Sequence, residues 1–260
     1  MSKTISIHSF RGGTGKSNIT ANVAAMVAQR GKRVGIIDTD IQSPGIHVLF
    51  GLDEEKIDKC LNDYLWGKCA VEEAAYDVGA ILKMGEGEIA VMGGGLYLIP
   101  SSLKAGEIAK VLREGYDVGL LNDGFRELIS RLSLDCLFID THPGLNEETL
   151  LSIAISDVLL IILRPDQQDY QGTGVTVDVA RKLDVPRMFL VVNKVLTSFD
   201  FAEVKEKVEK TYGCQVAAVL PLSEDVVRLA SAGIFCLRHP DHPFTEGLIA
   251  VANRIMEAPS

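Results

Sequence analysis

Paired cysteines are missing from this chain of 260 residues. Its cysteines, Cys60, Cys69, Cys136, Cys214 and Cys236, are widely scattered with no C-x-x-C pair, so neither a disulfide framework nor an intrachain zinc or iron–sulfur site is indicated. Also missing is any run of the ~18 uninterrupted apolar residues that a bilayer crossing needs. The N-terminus, Met1 to Ile5, goes straight into a strand-like segment without a signal peptide, and the expectation is a cytosolic protein. There is no excess of basic charge: the net charge of −9 argues against a uniformly basic nucleic-acid binder, though not against a local basic patch. No internal repeat or low-complexity linker is visible. What is present is 47% hydrophobic and 23% charged residues, a range in which one α/β domain can bury a full core, and we read residues 1–260 as one domain.

Short β-branched runs alternate with helix-length segments. Thr4–His8, Val34–Asp38, Cys136–Asp140, Val158–Leu163, Met188–Asn193 and Val216–Leu220 read as buried strands. Nearly unbroken apolar strands in a βαβα rhythm predict an α/β fold, a mostly parallel sheet with helices on both faces. Right-handed crossovers then bring the strands' C-terminal ends to one edge. Glu88–Met92, Gly93-Gly94-Gly95 and Leu96–Ile99 read as strand, turn and strand, which predicts one antiparallel edge hairpin. Ile57, Leu61 and Leu65 suggest a helical insertion within residues 54–84.

The most informative segment is Arg11-Gly12-Gly13-Thr14-Gly15-Lys16-Ser17, which follows the first strand and precedes a helical run from Asn18 to Gln29. Glycines let backbone N–H groups wrap phosphates, and the helix N-terminus adds a favourable dipole. Lys16 would neutralise β- and γ-phosphate charge, and the Ser17 hydroxyl would take a Mg²⁺ coordination position. A glycine-rich turn without a ligand is the bland alternative; the strand–loop–helix context weighs against it. The plain G-x-x-x-x-G-K-[ST] pattern is not met, because Phe10 stands where its first glycine would be.

What is met resembles the deviant P-loop of the ParA/MinD family of SIMIBI-class ATPases, with Arg11 in place of the family's signature lysine. Asp38-Thr39-Asp40, leading into Ile41-Gln42-Ser43-Pro44-Gly45, is similar to that family's first switch segment, and Asp140-Thr141-His142-Pro143-Gly144-Leu145 to its second. Leu96 to Ser102, Val191 to Lys194 and Leu220 to Val226 are further landmarks in the same order, so the resemblance runs from residue 4 to about residue 235.

The resemblance implies a P-loop NTPase that binds ATP and Mg²⁺, forms a homodimer with ATP and is reset by hydrolysis. The implied nucleotide contacts are Gly12, Gly13, Thr14, Gly15, Lys16, Ser17, Asn18 and, toward adenine, Asn193. Asp38 and Asp140 end strands beside the loop and, with Ser17, could hold Mg²⁺, although either aspartate alone also suits a turn or helix cap. Lys16, Asp40 and Arg11 are the catalytic candidates: Asp40 resembles the residue that orients the attacking water, and shares a face with Asp38 if the strand continues. Arg11 resembles the residue that reaches a partner subunit's phosphates, where an arginine finger is worth about 10³–10⁵ in rate. It could equally solvate the outside of the loop. Asn193 is also a common turn former.

The functional expectation is a ParA-like partitioning or positioning ATPase, with a stimulating protein partner and nonspecific DNA as candidate partners. The alternative is a MinD- or flagellar-regulator-like switch that acts through proteins or a membrane, without DNA. Arg228, Arg238 and Arg254 could form a small phosphate-contacting patch, or be ordinary surface charge. Phe244, Leu248, Val251 and Ile255 line one face of the last helix; its polar face lacks the basic character that attracts anionic lipid, which favours core packing over a membrane. His239-Pro240-Asp241-His242-Pro243 reads as a rigid turn rather than a metal clip. His142 is flagged as a group that could titrate near the γ-phosphate.

Overall fold

The computed structural model describes residues 2–84 and 94–258. Its strands are β1 Lys3–His8, β2 Arg33–Asp38, β3 Tyr76–Asp77, β4 Gly95–Ile99, β5 Cys136–Asp140, β6 Val158–Leu163, β7 Met188–Val195 and β8 Val216–Pro221. They form one sheet in the order β3-β4-β2-β5-β1-β6-β7-β8. All pairings are parallel except β3 with β4. The helices are α1 Lys16–Gln29, α2 Ile46–Leu49, α3 Leu61–Leu65, α4 Ala105–Glu114, α5 Val118–Arg131, α6 Glu147–Ala154, α7 Gln167–Lys182, α8 Phe201–Tyr212, α9 Glu224–Leu229, α10 Phe235–Arg238 and α11 Pro243–Glu257.

Strand alternation divides the core into two faces. Ile5, Ile7, Val34 and Ile36 pack with α1, α10 and α11 on one face. On the other, Ile37, Leu137 and Ile139 meet α5, while Leu159, Ile161 and Leu163 meet α7 and α8. Burying each such aliphatic side chain contributes about 1.5–3 kcal/mol, which is why the parallel strands carry few polar residues. Phe244, Leu248, Val251 and Ile255 of α11 lie in the first of these cores, so that face of the last helix is used up in packing. Among the described residues, no helix is long and apolar enough to cross a membrane. Lys3 ties the two ends of the described chain together, its Nζ donating to the carbonyls of Ile255, Met256 and Ala258 at the end of α11.

Two expectations are revised. An antiparallel pair sits at the sheet edge, but Leu96–Ile99 runs parallel to β2, and its antiparallel neighbour is the short strand Tyr76–Asp77. The expected partner strand Glu88–Met92 lies outside the described residues. Residues 54–84 form no continuous helix either: they contain short 3-10 turns at Glu54–Lys56, Val71–Ala74 and Gly79–Met84 around the five-residue α3. Gly67, at φ +68°, follows α3 in a left-handed conformation that no α-helix continues through.

Candidate active site

The chain leaves β1 toward β2 on one side and later returns through β5 to β6 on the other, so β1 marks the point where the sheet reverses its winding. In open α/β sheets a ligand crevice forms at the strands' C-terminal ends at such a point. The loop after β1 lies there. Gly13 and Gly15 take φ +76° and +94°. A Cβ on Gly15 would stand 2.6 Å from Asn193 Nδ2, so this position needs glycine for both its backbone and its space. Asn193, at the end of β7, fixes the loop by donating Nδ2 to the Thr14 carbonyl at 2.8 Å, and Lys194 Nζ donates to the Gly13 carbonyl at 2.8 Å. α1 then starts at Lys16 with no side-chain cap and no acidic residue in its first turn. By contrast α6, α7, α8 and α9, which follow the neighbouring strands, are capped by Asn146, Asp166, Asp200 and Ser223. The first N–H groups of α1 are therefore available to an anion.

Behind the loop is a buried charge cluster. Lys16 Nζ lies 2.8 Å from Asp140 Oδ1, with the two side chains 7% and 1% exposed. Thr20 Oγ1 is 3.2 Å from the same oxygen, while Asp140 Oδ2 is buried without a hydrogen-bond partner among the described residues. Asp38 is fully buried and takes N–H groups of Asp40 and Gly45 at 3.0 and 3.3 Å. Burial, followed by the neighbouring Asp140, raises its carboxyl well above the usual carboxylate range. β2 stops at Asp38, so Asp38 and Asp40 do not share a strand face; Asp40 instead enters through a turn in which Ser43 donates its N–H to Asp40 Oδ1 at 3.2 Å. Burial raises the Asp40 carboxyl too, and His142 Nε2 is 3.8 Å from it.

Asn18 and Asn193 border a cleft of about 240 Å³, with Gly15, Leu222, Val226 and Phe244 among its walls. Asn193 Oδ1 is buried without a partner among the described residues. Ser17 is half-buried at the second position of α1. Gly12 is exposed, with nothing closer than 4.0 Å to a Cβ placed on it. Arg11 turns toward its own α7: Nη1 donates to Gln168 Oε1 and lies 3.9 Å from Asp169 Oδ1. That aspartate is also held by Arg164 through Nε and Nη2, both at 3.0 Å.

The residues present fit a nucleotide with a divalent cation. The glycine cradle and the uncapped helix suit phosphates, the Asp38 and Asp140 carboxylates with the Ser17 hydroxyl are hard oxygen donors, and Asp140 Oδ2 is an unsatisfied acceptor among them. Elsewhere, Cys60, Asp63 and Glu107 are close enough together to share a cation. Lys68 Nζ already sits 2.8 Å from Asp63, however, and burial pushes the Cys60 thiol up to about 11. His242 has a structural task, its Nδ1 accepting from Phe244 N–H at 3.0 Å to cap α11.

Sequence reasoning missed several participants. Phe10 fits because α7 offers Gly172 beneath it, where a Cβ would come within 2.1 Å of the ring. Thr141 hydrogen-bonds the Ile7 carbonyl through its hydroxyl at 3.0 Å, and His8 Nδ1 is 2.8 Å from that hydroxyl. The available signal was a polar residue at each alternate position of an otherwise apolar strand, Ser6 and His8 in Ile5-Ser6-Ile7-His8.

This sheet order with a phosphate loop after the central strand defines a P-loop nucleotide-binding protein. Residues 5–234 match the CobQ/CobB/MinD/ParA nucleotide binding domain, and the chain belongs to that family. It is 26% identical to an uncharacterised ATP-binding protein of Methanocaldococcus jannaschii, over 99% of this chain and 89% of that one. It is 24% identical to an iron–sulfur cluster carrier protein of Pyrococcus horikoshii, over 97% and 85% of the two chains. Among solved structures, the septum site-determining protein MinD of Pyrococcus horikoshii, complexed with Mg-ADP, superimposes with a TM-score of 0.79 at 20% identity, covering 99% of this chain and 97% of that one.

Proposed function

We propose that this chain is a cytoplasmic Mg-ATP-dependent positioning switch: ATP drives a homodimer, and slow, partner-stimulated hydrolysis to ADP and phosphate resets it. The observation that carries the reading is the buried Lys16–Asp140 pair beside Asp38 and Asp40, at the mouth of a glycine loop and an uncapped helix. Asp140 lies against Lys16, where phosphate oxygens would compete for the ammonium, and Asp140, Asp38 and Ser17 would hold Mg²⁺. The metal supplies charge neutralisation for the phosphates. Gly12, Gly13, Thr14, Gly15, Ser17 and Asn18 line the phosphate side, and the unsatisfied Asn193 Oδ1 is an acceptor for an adenine amino group.

Asp40 orients the attacking water and takes its proton, a task suited to a carboxylate whose pKa burial has raised. Lys16 and the N–H groups of α1 stabilise the charge that develops on the phosphates. Arg11 leaves its contacts with α7 to meet the partner subunit's nucleotide. Septum site determination, the task named for the MinD relative, is positioning of this kind, and the output through a protein partner is the first reading.

One observation favours DNA as a second reading. At the opposite edge of the sheet, Arg254 and Arg187 line a cleft of about 460 Å³ together with Glu257 and with Arg181, which itself donates to the Tyr212 carbonyl and lies 3.8 Å from Asp178. Of the other two arginines singled out from the sequence, Arg228 pairs with Glu224 at 3.2 Å and Asp225 at 3.8 Å, and Arg238 donates to the Ala232 carbonyl at 2.6 Å. The test is the solution mass of Asp40→Ala protein with ATP, ADP or no nucleotide, together with duplex DNA binding over a salt series. A dimer with ATP alone is expected; a monomer at saturating ATP overturns the switch. ATP-dependent DNA binding that weakens with salt selects the second reading.

A further inference from the structure

We infer that His8 is a positioning residue for ATP hydrolysis: it holds the Asp140–Leu145 segment in register with the phosphate loop through the Thr141 hydroxyl. The inference rests on the ATPase reading above. β1 is central, flanked by β5 and β6, and its alternation sends Ile5 and Ile7 to the α1 side and Ser6 and His8 to the other. On that side Ser6 meets α6, its Oγ donating to the Ser152 carbonyl at 2.9 Å. His8 is wholly buried there.

The hydrogen bonds assign its tautomer. A backbone carbonyl can only accept, so the Thr141 hydroxyl proton goes to Ile7 O at 3.0 Å, and the hydroxyl oxygen accepts from an Nδ1–H of His8 at 2.8 Å. His8 Nε2 is then an unprotonated acceptor, buried without a partner among the described residues. Burying an acceptor unpaired is unfavourable, and a leucine would fill the same space without that penalty. The imidazole is therefore poor filler, and what it contributes is the bond to Thr141.

That bond acts at a sensitive place. Thr141 stands between Asp140, which meets Lys16 at 2.8 Å, and His142, which lies 3.8 Å from Asp40. Two backbone bonds join the same segments, Thr141 N–H to Ile7 O and Gly144 N–H to Ser9 O, each 3.2 Å. His8 adds the side-chain tie that fixes the torsion at Thr141. Without it, the Asp140 carboxylate and the His142 ring turn away from Lys16 and Asp40 together, while Asn193 and the start of α1 keep their places.

Three proteins test this: wild type, His8→Leu and His8→Asn, the amide N–H of asparagine standing near the place of Nδ1–H. The readouts are the thermal midpoint, hydrogen exchange of peptides across 139–145 without nucleotide, and kcat and KM for Mg-ATP. His8→Leu is expected to melt no lower than wild type and to exchange faster across 139–145. Its kcat should fall about 10- to 100-fold, the size of effect known for losing the outer support of a metal ligand, and KM for Mg-ATP should rise with it, since Asp140 is among the residues placed to hold Mg²⁺. His8→Asn should restore slow exchange and most of kcat. Unchanged exchange in His8→Leu overturns the inference, as does a lowered midpoint that His8→Asn fails to rescue, since that is the behaviour of filler. If the wild type hydrolyses no ATP, the ATPase reading fails instead, and the exchange comparison still decides the tie.

Discussion

Two single residues set how the phosphate loop is built and how it responds to pH. Gly15→Ala is strained twice, once by the left-handed backbone, about 1–2 kcal/mol, and once by the 2.6 Å approach to Asn193 Nδ2. ATP affinity measured by calorimetry should fall sharply in Gly15→Ala. Adding Asn193→Ala removes the clash but leaves the backbone strain, and it also removes the tie to the Thr14 carbonyl and the adenine acceptor, so ATP affinity should not recover. His8 gives the pH prediction. Burial, then Lys16 and His142, lower its pKa from 6.5 to about 3, so the folded chain refuses a proton that the unfolded chain takes. Its contribution to stability is present above about pH 6.5 and is lost by ~1.4 kcal/mol per pH unit on the way down to about pH 3. Asp38 has the opposite sign, since its raised pKa favours the fold when protonated and that contribution is lost as pH rises. The difference between wild type and His8→Leu isolates the histidine: in thermal melts the variant's advantage should widen between pH 7 and pH 5.

At the scale of elements, the edge that carries the site is a row of helix starts, and capping separates them. Asn146 accepts from Thr149 N–H at 2.9 Å and begins α6 just after the Asp140–Leu145 segment. Asn146→Ala should lower stability by about 1 kcal/mol in denaturant titration, whereas a new cap at Gly15 would compete with phosphate for the same N–H groups. The same contrast explains what could be read in advance. β2, β5, β6, β7 and β8 were legible because strands buried on both faces are largely apolar runs, β1 because Ile5 and Ile7 alternate with polar residues, and the loop because glycine, lysine and serine stand at the fixed spacing of a phosphate loop. β3 was not, because two residues, Tyr76 and Asp77, carry no period at all. Within residues 54–84 the spacing of Leu61 and Leu65 did mark a helix, the short α3, whereas Ile57 ends a separate 3-10 turn and does not extend it. The tie between His8 and Thr141 was invisible for another reason: its partners lie 133 residues apart, and the alternating polar residues of β1 mark a polar face without announcing what it meets.

For the whole molecule, the decisive arrangement is the side on which Arg11 is held. Its contacts with Gln168 and Asp169 lie within one subunit, and the proposed role in trans would require them to be exchanged for contacts across the interface. Arg11→Ala should still bind ATP but turn it over slower by as much as about 10³-fold, if the arginine serves in trans. Mixing Arg11→Ala with Asp40→Ala subunits then provides the check, because a mixed dimer holds one site with an intact Asp40 and the partner's intact Arg11, and a second site with neither, so hydrolysis returns only if the arginine acts in trans. A turnover unaffected by Arg11→Ala would leave the arginine a loop-exterior residue. The clamp that Lys3 makes on α11 has its own consequence. Since it brings the first strand and the last helix together, a short linker could join them and new ends be opened at the exposed turn near residue 198. Such a permuted chain would be translated with α8, β8 and the last three helices ahead of the phosphate loop, and if it still bound nucleotide, the order in which the ribosome makes these strands would be incidental to the order in which they pack.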